Sequence, residues 1–283
     1  MAKSSRREII LGSMAAAAAA EAVADTGTTK YLRFQKGTAI SYGVLNGETI
    51  DAIRGDLFGT WSKSGVRHRL GDVKLLAPCN PSKVLAVGLN YQTHLGARKP
   101  SAHPEIFYKP ITCLQHPGDP IVIPEDANNV HYEGELVIVM GKRASHISLA
   151  EAKDAIFGVC CGNDVSERDW QGGPAKDLQW WRAKGADTFG PLGPWIVRGL
   201  DYGKVMLETR VNGEVMQKQS TADLIFDCPT IVSFISRYVV LLPGDVIYTG
   251  TPAHTSKMKP GDVVEVEIEG IGVLRNPVVA AKA

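Results

Sequence analysis

Cysteine and excess charge are both scarce in this chain of 283 residues. Its five cysteines form no C-x-x-C pair and are odd in number, which argues against a disulfide framework or a zinc knuckle and favours buried free thiols. The formal net charge of +1 gives no reason to expect nucleic acid or an anionic membrane as a partner. The sequence also contains no run of 18 apolar residues that could span a bilayer.

What the chain does contain is typical of a globular protein. Hydrophobic residues make up 44% of it and charged residues 22%. This is enough apolar material for one large core, or for one core with a small additional domain.

The first 25 residues differ in composition from the rest. Arg6 and Arg7 precede a weakly apolar run with six consecutive alanines at residues 15–20, and Ala22-Val23-Ala24 supplies a small-x-small site. This pattern predicts an export signal over residues 1–25, and the paired arginines resemble the twin-arginine type, so we expect a periplasmic protein that is free of the membrane after processing. The alternative is a disordered tail or an alanine-rich helix on a cytoplasmic protein.

Short alternating runs follow, first over residues 30–77 and then over residues 82–283. Asn46-Gly47 and Asn212-Gly213 each lie between apolar runs and predict two-residue hairpins. Ser148 with Glu151 forms a capping-box pattern that predicts a helix, and a second helix is predicted after Pro229. The chain is therefore predicted to be mainly β within the α+β class, with a small β-rich N-terminal domain over 30–77 and a larger second domain over 82–283.

Two carboxylates open a predicted strand. Glu133 and Glu135 are two residues apart in front of an apolar run, so their side chains point to the same face. Like charges in this position repel each other unless a cation lies between them. An isolated E-x-E is more often a polar strand edge in contact with solvent, so this pair gains weight only from the residues that follow.

A second group of polar residues comes after another buried-type strand. Asp164, Arg168 and Gln171 have the spacing i, i+4, i+7, which predicts one face of a short helix. There the carboxylate can face a metal while the guanidinium and the amide hold a carbonyl or carboxylate of a ligand. Alternatively, Asp164 only caps the helix and Arg168 forms a surface ion pair.

Two further residues are candidates for proton transfer and charge stabilisation. His94 follows the predicted strand over residues 84–89 and is well placed as a general base, although a single histidine is more often structural. Lys184 lies among small residues and can act as a fixed ammonium beside an oxyanion, although a surface loop would have a similar composition.

Six motifs in order resemble the fumarylacetoacetate hydrolase family. They are N-Y-x-x-H (90–94), I-F-x-K-P (106–110), Y-E-x-E-L (132–136), N-D-x-S-x-R-D-x-Q (163–171), K-x-x-D-T-F-x-P-L-G-P-W (184–195) and P-G-D-V-I-x-T-G-T-P (243–252). The resemblance extends from about Lys30 to Pro277 and is closest to the small bacterial members described as 2-hydroxyhepta-2,4-diene-1,7-dioate isomerases.

This resemblance implies a pseudo-symmetric β-roll core, a homodimer and a small-molecule oxo-acid substrate. It implies a Mg²⁺ or Mn²⁺ site formed by Glu133, Glu135 and Asp164, a set of hard oxygen ligands that suits such a cation. It also implies catalytic roles for His94 and Lys184. The substrate-binding residues that it implies are Lys109, Arg168, Gln171 and Thr251.

The first expectation for function is hydrolysis of a C–C bond in a 2-oxo acid or 1,3-diketone, of the acylpyruvate or fumarylacetoacetate type, through an enolate. Hydrolytic members carry a glutamate three residues after the motif histidine, whereas this chain has Ala97; Glu105 is one candidate replacement. Residues 253–256 replace the glycine-rich sequence that often follows G-T-P. The alternatives are a keto–enol isomerase or decarboxylase of a 2-oxo dicarboxylate, or a non-catalytic binding protein.

Overall fold

The computed structural model describes residues 27–282, so the predicted export signal over residues 1–25 lies outside the described part. Within residues 27–282 the protein is mainly β, as predicted, with short helices between the strands. No helix in this part of the chain is both long and apolar enough to cross a membrane. All five cysteines are buried free thiols.

Nineteen strands are present in the described residues: β1 (Thr29–Lys36), β2 (Ala39–Asn46), β3 (Thr49–Gly55), β4 (Trp61–Arg69), β5 (Lys74–Leu76), β6 (Val84–Gly88), β7 (Glu105–Lys109), β8 (Leu114–Gln115), β9 (Ile121–Ile123), β10 (Val130–His131), β11 (Gly134–Met140), β12 (Ile156–Asn163), β13 (Ser166–Glu167), β14 (Gly190–Arg198), β15 (Met206–Val211), β16 (Glu214–Ser220), β17 (Val246–Tyr248), β18 (Val263–Ile268) and β19 (Gly272–Ala280). The α-helices of the same part are α1 (Gln92–Leu95), α2 (Leu149–Ala155), α3 (Arg168–Gly172), α4 (Trp181–Gly185) and α5 (Cys228–Ser236).

The largest sheet has twelve strands. Its order is β4-β3-β2-β1-β14-β12-β11-β17-β6-β7, with β5 on β1 and β8 on β14. Strand β1 pairs antiparallel with β14, with Tyr31 opposite Ile196, so the N-terminal β-rich segment continues the sheet that contains β11 and β12. A five-stranded sheet, β16-β15-β18-β19-β9, and the β10–β13 pair complete the architecture.

The local signals for turns and caps produced the predicted elements. Asn212 and Gly213 both have positive φ (53° and 85°), as a type I′ hairpin turn requires, and they join β15 to β16. Ser148 caps α2 in a complete capping box with Glu151. Since these are interactions between neighbouring residues, they could be predicted without knowledge of the tertiary structure.

Strand β11 is buried along its whole length and supports the functional site. Leu136 and Ile138 pack into one hydrophobic core with helix α5 and the second sheet, whereas Val137 and Val139 pack into another core on the opposite face. Full burial of each such side chain contributes about 1.5–3 kcal/mol. The residues at the start of β11 are therefore carried by one of the most constrained parts of the fold.

Candidate functional site

The site forms where β11 begins and β12 ends. These strands run antiparallel with Gly134 opposite Asn163, so Glu133, just before β11, lies beside Asp164, just after β12. The Asp164 amide donates a hydrogen bond to the Glu133 carbonyl (2.8 Å), and the Asn163 side-chain oxygen accepts one from the Glu133 amide (2.8 Å). The register of one strand pair thus brings together two carboxylates that are 31 residues apart in the chain.

Three carboxylates meet at this point. Glu133, Glu135 and Asp164 are 3%, 1% and 1% exposed, and each offers an oxygen that lies within 4.8 Å of the oxygens of the other two. The structure therefore brings together the three residues that the sequence predicted as metal ligands. Burial of three acidic groups so close together is unfavourable unless positive charge compensates it.

The carboxyl groups differ in their electrostatic environment. Burial disfavours the charged form of Glu133, but the Arg168 and Lys184 cations outweigh it and hold the pKa of this group below its ordinary value. Burial, together with the negative charges of Asp164 and Glu133, raises the pKa of Glu135 well above its ordinary value. Additional positive charge beside Glu135 would favour its ionised form. A divalent cation such as Mg²⁺ or Mn²⁺ supplies that charge and prefers oxygen ligands, so the donor set fits such an ion.

Lys184 lies on α4 and reaches the carboxylates from one side. Its Nζ donates to Glu133 Oε2 and to Asp164 Oδ2, both at 2.6 Å, and its side chain is almost fully buried. Burial disfavours the ammonium, but the Asp164 and Glu133 charges outweigh it and raise the pKa of Lys184. The group is therefore a fixed positive charge at the carboxylate cluster, where it can also stabilise negative charge on a ligand oxygen.

Lys109, at the end of β7, lies behind Asp164. Its Nζ donates to Asp164 Oδ1 (2.6 Å) and to the carbonyl of Lys184, and its side chain is fully buried. It is not among the residues that line the cavity at this site. This placement suits a residue that positions Asp164 better than one that contacts substrate, the role expected from the resemblance.

The prediction that Asp164, Arg168 and Gln171 share one helical face is wrong. Helix α3 begins only at Arg168, because the Glu167 side chain caps it by accepting a hydrogen bond from the Trp170 amide (2.7 Å). Asp164 lies before this helix, separated from it by β13. All three side chains nevertheless line the same cavity, since the chain turns sharply between β12 and α3.

Arg168 is held by several side chains. Its Nη1 donates to Gln171 Oε1 (2.7 Å), and its Nη2 donates to Glu133 Oε1 and to Thr255 Oγ1 (2.7 Å to the threonine). Because a guanidinium only donates, the Thr255 hydroxyl keeps its own hydrogen for His131 Nδ1, 2.9 Å away. Thr255 lies in the segment after G-T-P that departs from the family pattern. This segment therefore helps to fix the position of the Arg168 guanidinium.

The histidine in this chain of contacts is a neutral acceptor. Burial, followed by the Arg168 charge, lowers the pKa of His131 to about 4. Its Nε2 lies 2.8 Å from Asn129 Oδ1, which can only accept, so the ring hydrogen is on Nε2 and Nδ1 accepts from Thr255. Sequence reasoning missed His131, because nothing in the pattern V-H-Y-E links it to Thr255.

His94 lines the cavity from α1. Its Nδ1 lies 2.6 Å from the carbonyl of Ala253, which can only accept, so Nδ1 carries the hydrogen and Nε2 is the basic nitrogen. Burial lowers the pKa of His94, so the ring is neutral at neutral pH. A neutral imidazole facing a cavity is suited to proton transfer.

No carboxylate in the described residues forms a hydrogen bond to His94. Position 97 is alanine, and the candidate replacement, Glu105 at the start of β7, instead accepts a hydrogen bond from Ser101 Oγ (2.6 Å). Glu105 is also absent from the cavity lining. Within residues 27–282, His94 therefore has no hydrogen-bonded carboxylate partner, and the negative charge of Glu133 only partly offsets the effect of burial on its pKa.

Thr251 connects the G-T-P segment to the start of β11. Its hydroxyl donates to the Gly134 carbonyl (2.9 Å) and accepts from Gln217 Nε2 (2.9 Å), while Gln217 Oε1 accepts from the Gly134 amide (3.1 Å). Gln217 comes from β16 in the second sheet and was not predicted from the sequence. It is a polar residue at a buried strand position, but this signal appears only after the strand has been assigned to a sheet.

The glycine between the two glutamates is required by a close approach of chains. A Cβ at Gly134 would lie 2.0 Å from Thr209 Oγ1, a contact that no side chain could tolerate. A substituent here would displace the start of β11 and with it Glu133 and Glu135. The glycine in E-G-E therefore contributes directly to the geometry of the carboxylate pair.

The carboxylates open into a cavity of about 330 Å³. Its lining includes most of the predicted site residues, together with aromatic and cationic residues that sequence reasoning did not identify. The residues in the lining that were not predicted as functional include Phe107, Trp180 and Arg98. A larger cavity of about 530 Å³, lined by residues from 123–130, 257–260 and 280–281, contains none of the predicted site residues.

Comparison with protein families matches most of the chain to two known domains. Residues 83–279 match the C-terminal domain of fumarylacetoacetate hydrolase, and residues 29–78 match the Rv2993c-like N-terminal domain. The chain belongs to the fumarylacetoacetate hydrolase family. The mainly β fold of the α+β class, predicted from the sequence pattern, is confirmed.

Relatives of this fumarylacetoacetate hydrolase family member include proteins with and without a described activity. Protein Rv2993c from Mycobacterium tuberculosis is 48% identical over 227 residues, which are 78% of this chain and 84% of the relative. The mitochondrial oxaloacetate tautomerase fahd2 of Xenopus laevis is 38% identical over 221 residues, which are 74% of this chain and 69% of the relative.

Solved structures of the family show the same fold. The 2-hydroxyhepta-2,4-diene-1,7-dioate isomerase from Mycobacterium marinum is 42% identical, with a TM-score of 0.82 over 90% of this chain and all of that chain. Maleylpyruvate hydrolase from Sphingobium sp. SYK-6, solved in complex with manganese(II) and pyruvate, is 28% identical, with a TM-score of 0.74 over 89% of this chain and all of that chain. The family thus includes isomerases, hydrolases and tautomerases.

Proposed function

We propose that this protein is a Mg²⁺- or Mn²⁺-dependent enzyme that interconverts the keto and enol forms of a small 2-oxo acid. The observation that carries this proposal is the environment of His94, a neutral histidine that faces the cavity and has no hydrogen-bonded carboxylate partner in the described residues. Such a base can move a proton on an acidified carbon but is poorly equipped to activate water.

A divalent cation held by Glu133, Glu135 and Asp164 would polarise the 2-oxo group of the substrate and so acidify its C3 hydrogens. The buried carboxylates, at the rigid start of β11 and end of β12, provide the oxygen ligands for it. Their burial excludes water and strengthens electrostatic interactions with the reacting group.

The remaining polar residues have separate roles in binding the substrate and stabilising its charge. Arg168, supported by Gln171, binds the carboxylate next to the 2-oxo group through charge-assisted hydrogen bonds. Lys184 stabilises negative charge on the oxygen of the enolate as it develops.

His94 Nε2 takes the proton from C3 and, as the imidazolium, delivers it to the enolate oxygen to give the neutral enol. The reverse sequence regenerates the ketone. No bond other than C–H and O–H is made or broken, and the histidine returns to its starting form. This cycle needs no acidic partner for His94, because a cation held by the three carboxylates would already lower the pKa of the C3 hydrogens.

The relatives support this choice. One curated relative is an oxaloacetate tautomerase, and one structural neighbour was solved with manganese(II) and pyruvate, a 2-oxo acid. The second candidate is hydrolysis of a C–C bond in an acylpyruvate, favoured by the maleylpyruvate hydrolase among the structural neighbours. Hydrolysis requires an activated water, for which His94 has no hydrogen-bonded acidic partner within residues 27–282.

The test compares both reactions on one preparation. Enol and keto oxaloacetate differ in ultraviolet absorbance, so their interconversion can be followed with Mn²⁺ present and after EDTA treatment, while acetylpyruvate cleavage is followed by release of pyruvate. We expect Mn²⁺-dependent interconversion that exceeds cleavage, and a loss of roughly 10²–10⁴-fold in His94→Ala. Rapid cleavage with no catalysed interconversion would refute the proposal and favour the hydrolase.

A further inference from the structure

Arg98 lies on the loop that follows α1, four residues after His94, and lines the same cavity. Its Nε donates to the Leu95 carbonyl at 3.1 Å, which closes the turn after the helix. This hydrogen bond uses one of the five donor positions of the guanidinium. The two Nη groups therefore carry donors that the loop itself does not engage.

The other cations of the site are all paired with its carboxylates. Lys109 pairs with Asp164, Lys184 pairs with both Glu133 and Asp164, and Arg168 pairs with Glu133. Within residues 27–282, Arg98 has no carboxylate within 4.0 Å. It is thus the cation of this cavity whose charge the described part of the chain does not compensate.

An uncompensated guanidinium at the cavity fits a second anionic group on the ligand. Arg168, next to Gln171 and Glu133, is held beside the carboxylate cluster, where the 2-oxo carboxylate is expected. Arg98 belongs to a different element, the loop after α1 rather than α3, and is more exposed. A ligand with a carboxylate at each end could engage both guanidinium groups, whereas a monocarboxylate could engage only one.

We propose that Arg98 binds the distal carboxylate of a 2-oxo dicarboxylate substrate and so selects it over a 2-oxo monocarboxylate. This inference rests on the proposed function, since Arg168 and the metal ligands must hold the 2-oxo acid end. Arg98 is a specificity-determining residue, because it contacts a part of the substrate that takes no part in proton transfer. A planar guanidinium suits this task, since it can donate two parallel hydrogen bonds to a carboxylate.

Binding of a matched pair of 2-oxo acids tests the proposal. 2-Oxoglutarate and 2-oxovalerate share a five-carbon 2-oxo acid chain and differ in that a carboxylate replaces the terminal methyl group. Calorimetric titration of the full chain with saturating Mn²⁺ would give the dissociation constant of each ligand. We expect wild type to bind 2-oxoglutarate more tightly than 2-oxovalerate. Arg98→Gln should raise the dissociation constant of 2-oxoglutarate about tenfold and change that of 2-oxovalerate less than about twofold.

Two further variants separate recognition from loop structure. Arg98→Lys keeps the charge and should recover part of the preference for 2-oxoglutarate, which loss of the bond to Leu95 alone would not explain. Lys99→Gln is the matched control, because it removes the neighbouring exposed charge, which does not line the cavity. We expect Lys99→Gln to leave both affinities unchanged.

Failure of this inference and failure of the proposed function give different results. The role of Arg98 would be overturned if Arg98→Gln lowered the affinity for both ligands equally, or if wild type bound both ligands with equal affinity. Either result would leave the 2-oxo acid site intact. A wild type that shows no Mn²⁺-dependent binding of either ligand would overturn the proposed function, and with it this inference.

Discussion

Replacement of Lys184 by methionine is the most direct test of how the carboxylate cluster is stabilised. Methionine has a similar length and no charge, so Lys184→Met removes the ammonium that donates at 2.6 Å to Glu133 and to Asp164. Both carboxylates stay buried, since they are 3% and 1% exposed. Loss of one partner from a buried ion pair costs about 3–5 kcal/mol. In this variant three buried carboxylates would share the two remaining cations, Arg168 and Lys109.

The expected loss is large enough to measure by thermal unfolding. For a chain of this size, each kcal/mol shifts the Tm by about 2–4 °C, so we expect Lys184→Met to unfold about 10 °C below wild type after treatment with EDTA. Mn²⁺ should recover more of the Tm in the variant than in wild type, because the ammonium no longer competes with the ion for the same carboxylate oxygens. The rate of keto–enol interconversion should fall about 10²–10³-fold even with Mn²⁺ present, since the enolate loses its ammonium.

Lys204→Met provides the control. Lys204 also pairs with an aspartate, Asp201, at 2.9 Å, but both side chains are more than two-thirds exposed, and such pairs contribute little. This variant should unfold at the temperature of wild type. If the EDTA-treated Lys184→Met also unfolded within about 2 °C of wild type, the ammonium would not be compensating the cluster and the electrostatic account of the site would be wrong.

Four further outcomes are expected. Asp164→Ala should keep its circular dichroism spectrum but lose Mn²⁺ binding in calorimetry; unchanged affinity would contradict the ligand assignment. Because burial lowers the pKa of His94, its basic form persists to more acidic pH, so the rate should decline with falling pH only below pH 6.5, and a midpoint above that value would exclude this base. We propose that the chain is exported folded; if so, replacing Arg6 and Arg7 with lysine should leave it in the cytoplasm, and unchanged delivery to the periplasm would remove the twin-arginine interpretation. We also propose a homodimer, which light scattering would contradict by finding a stable species near 30.5 kDa.

The parts of the fold that could be predicted depend on neighbours in the sequence. The capping box of Ser148 and Glu151 and the turn at Asn212 are local interactions, and both elements formed as expected. The shared direction of Glu133 and Glu135 follows from strand alternation in the same way. Each of these predictions needs no more than a few adjacent residues.

The meeting of Asp164 with the two glutamates depends on tertiary structure. It requires β12 to pair with β11 in one register, and no local pattern specifies that register. The expectation came from the family resemblance instead. The wrong helical face has a local cause, because the cap supplied by Glu167 delays the start of α3 to Arg168.

Two residues that contribute to the site could not be recognised from the sequence alone. Gln217 comes from the second sheet and binds Thr251 and Gly134, which lie 34 and 83 residues away. Arg98 follows Ala97, where the resemblance directed attention to a missing glutamate and not to the charge beside it. Both are ordinary polar residues in their local context, so only their position in the fold distinguishes them.

The site is built from two different kinds of structure. The carboxylate cluster is attached to β11 and β12, whose residues are buried almost throughout, so a change there would disturb the central sheet. A second part of the site is formed by helix α1 with His94, the loop with Arg98 and the segment with Ala253 and Thr255, and His94 Nδ1 donates a hydrogen bond to the Ala253 carbonyl. A loop can change residues at little cost to stability, which a buried strand cannot. The departures from the family pattern at positions 97 and 253–256 both fall in this second part, so we infer that the sheet preserves the chemistry of the 2-oxo acid while these loops select the reaction and the remainder of the substrate.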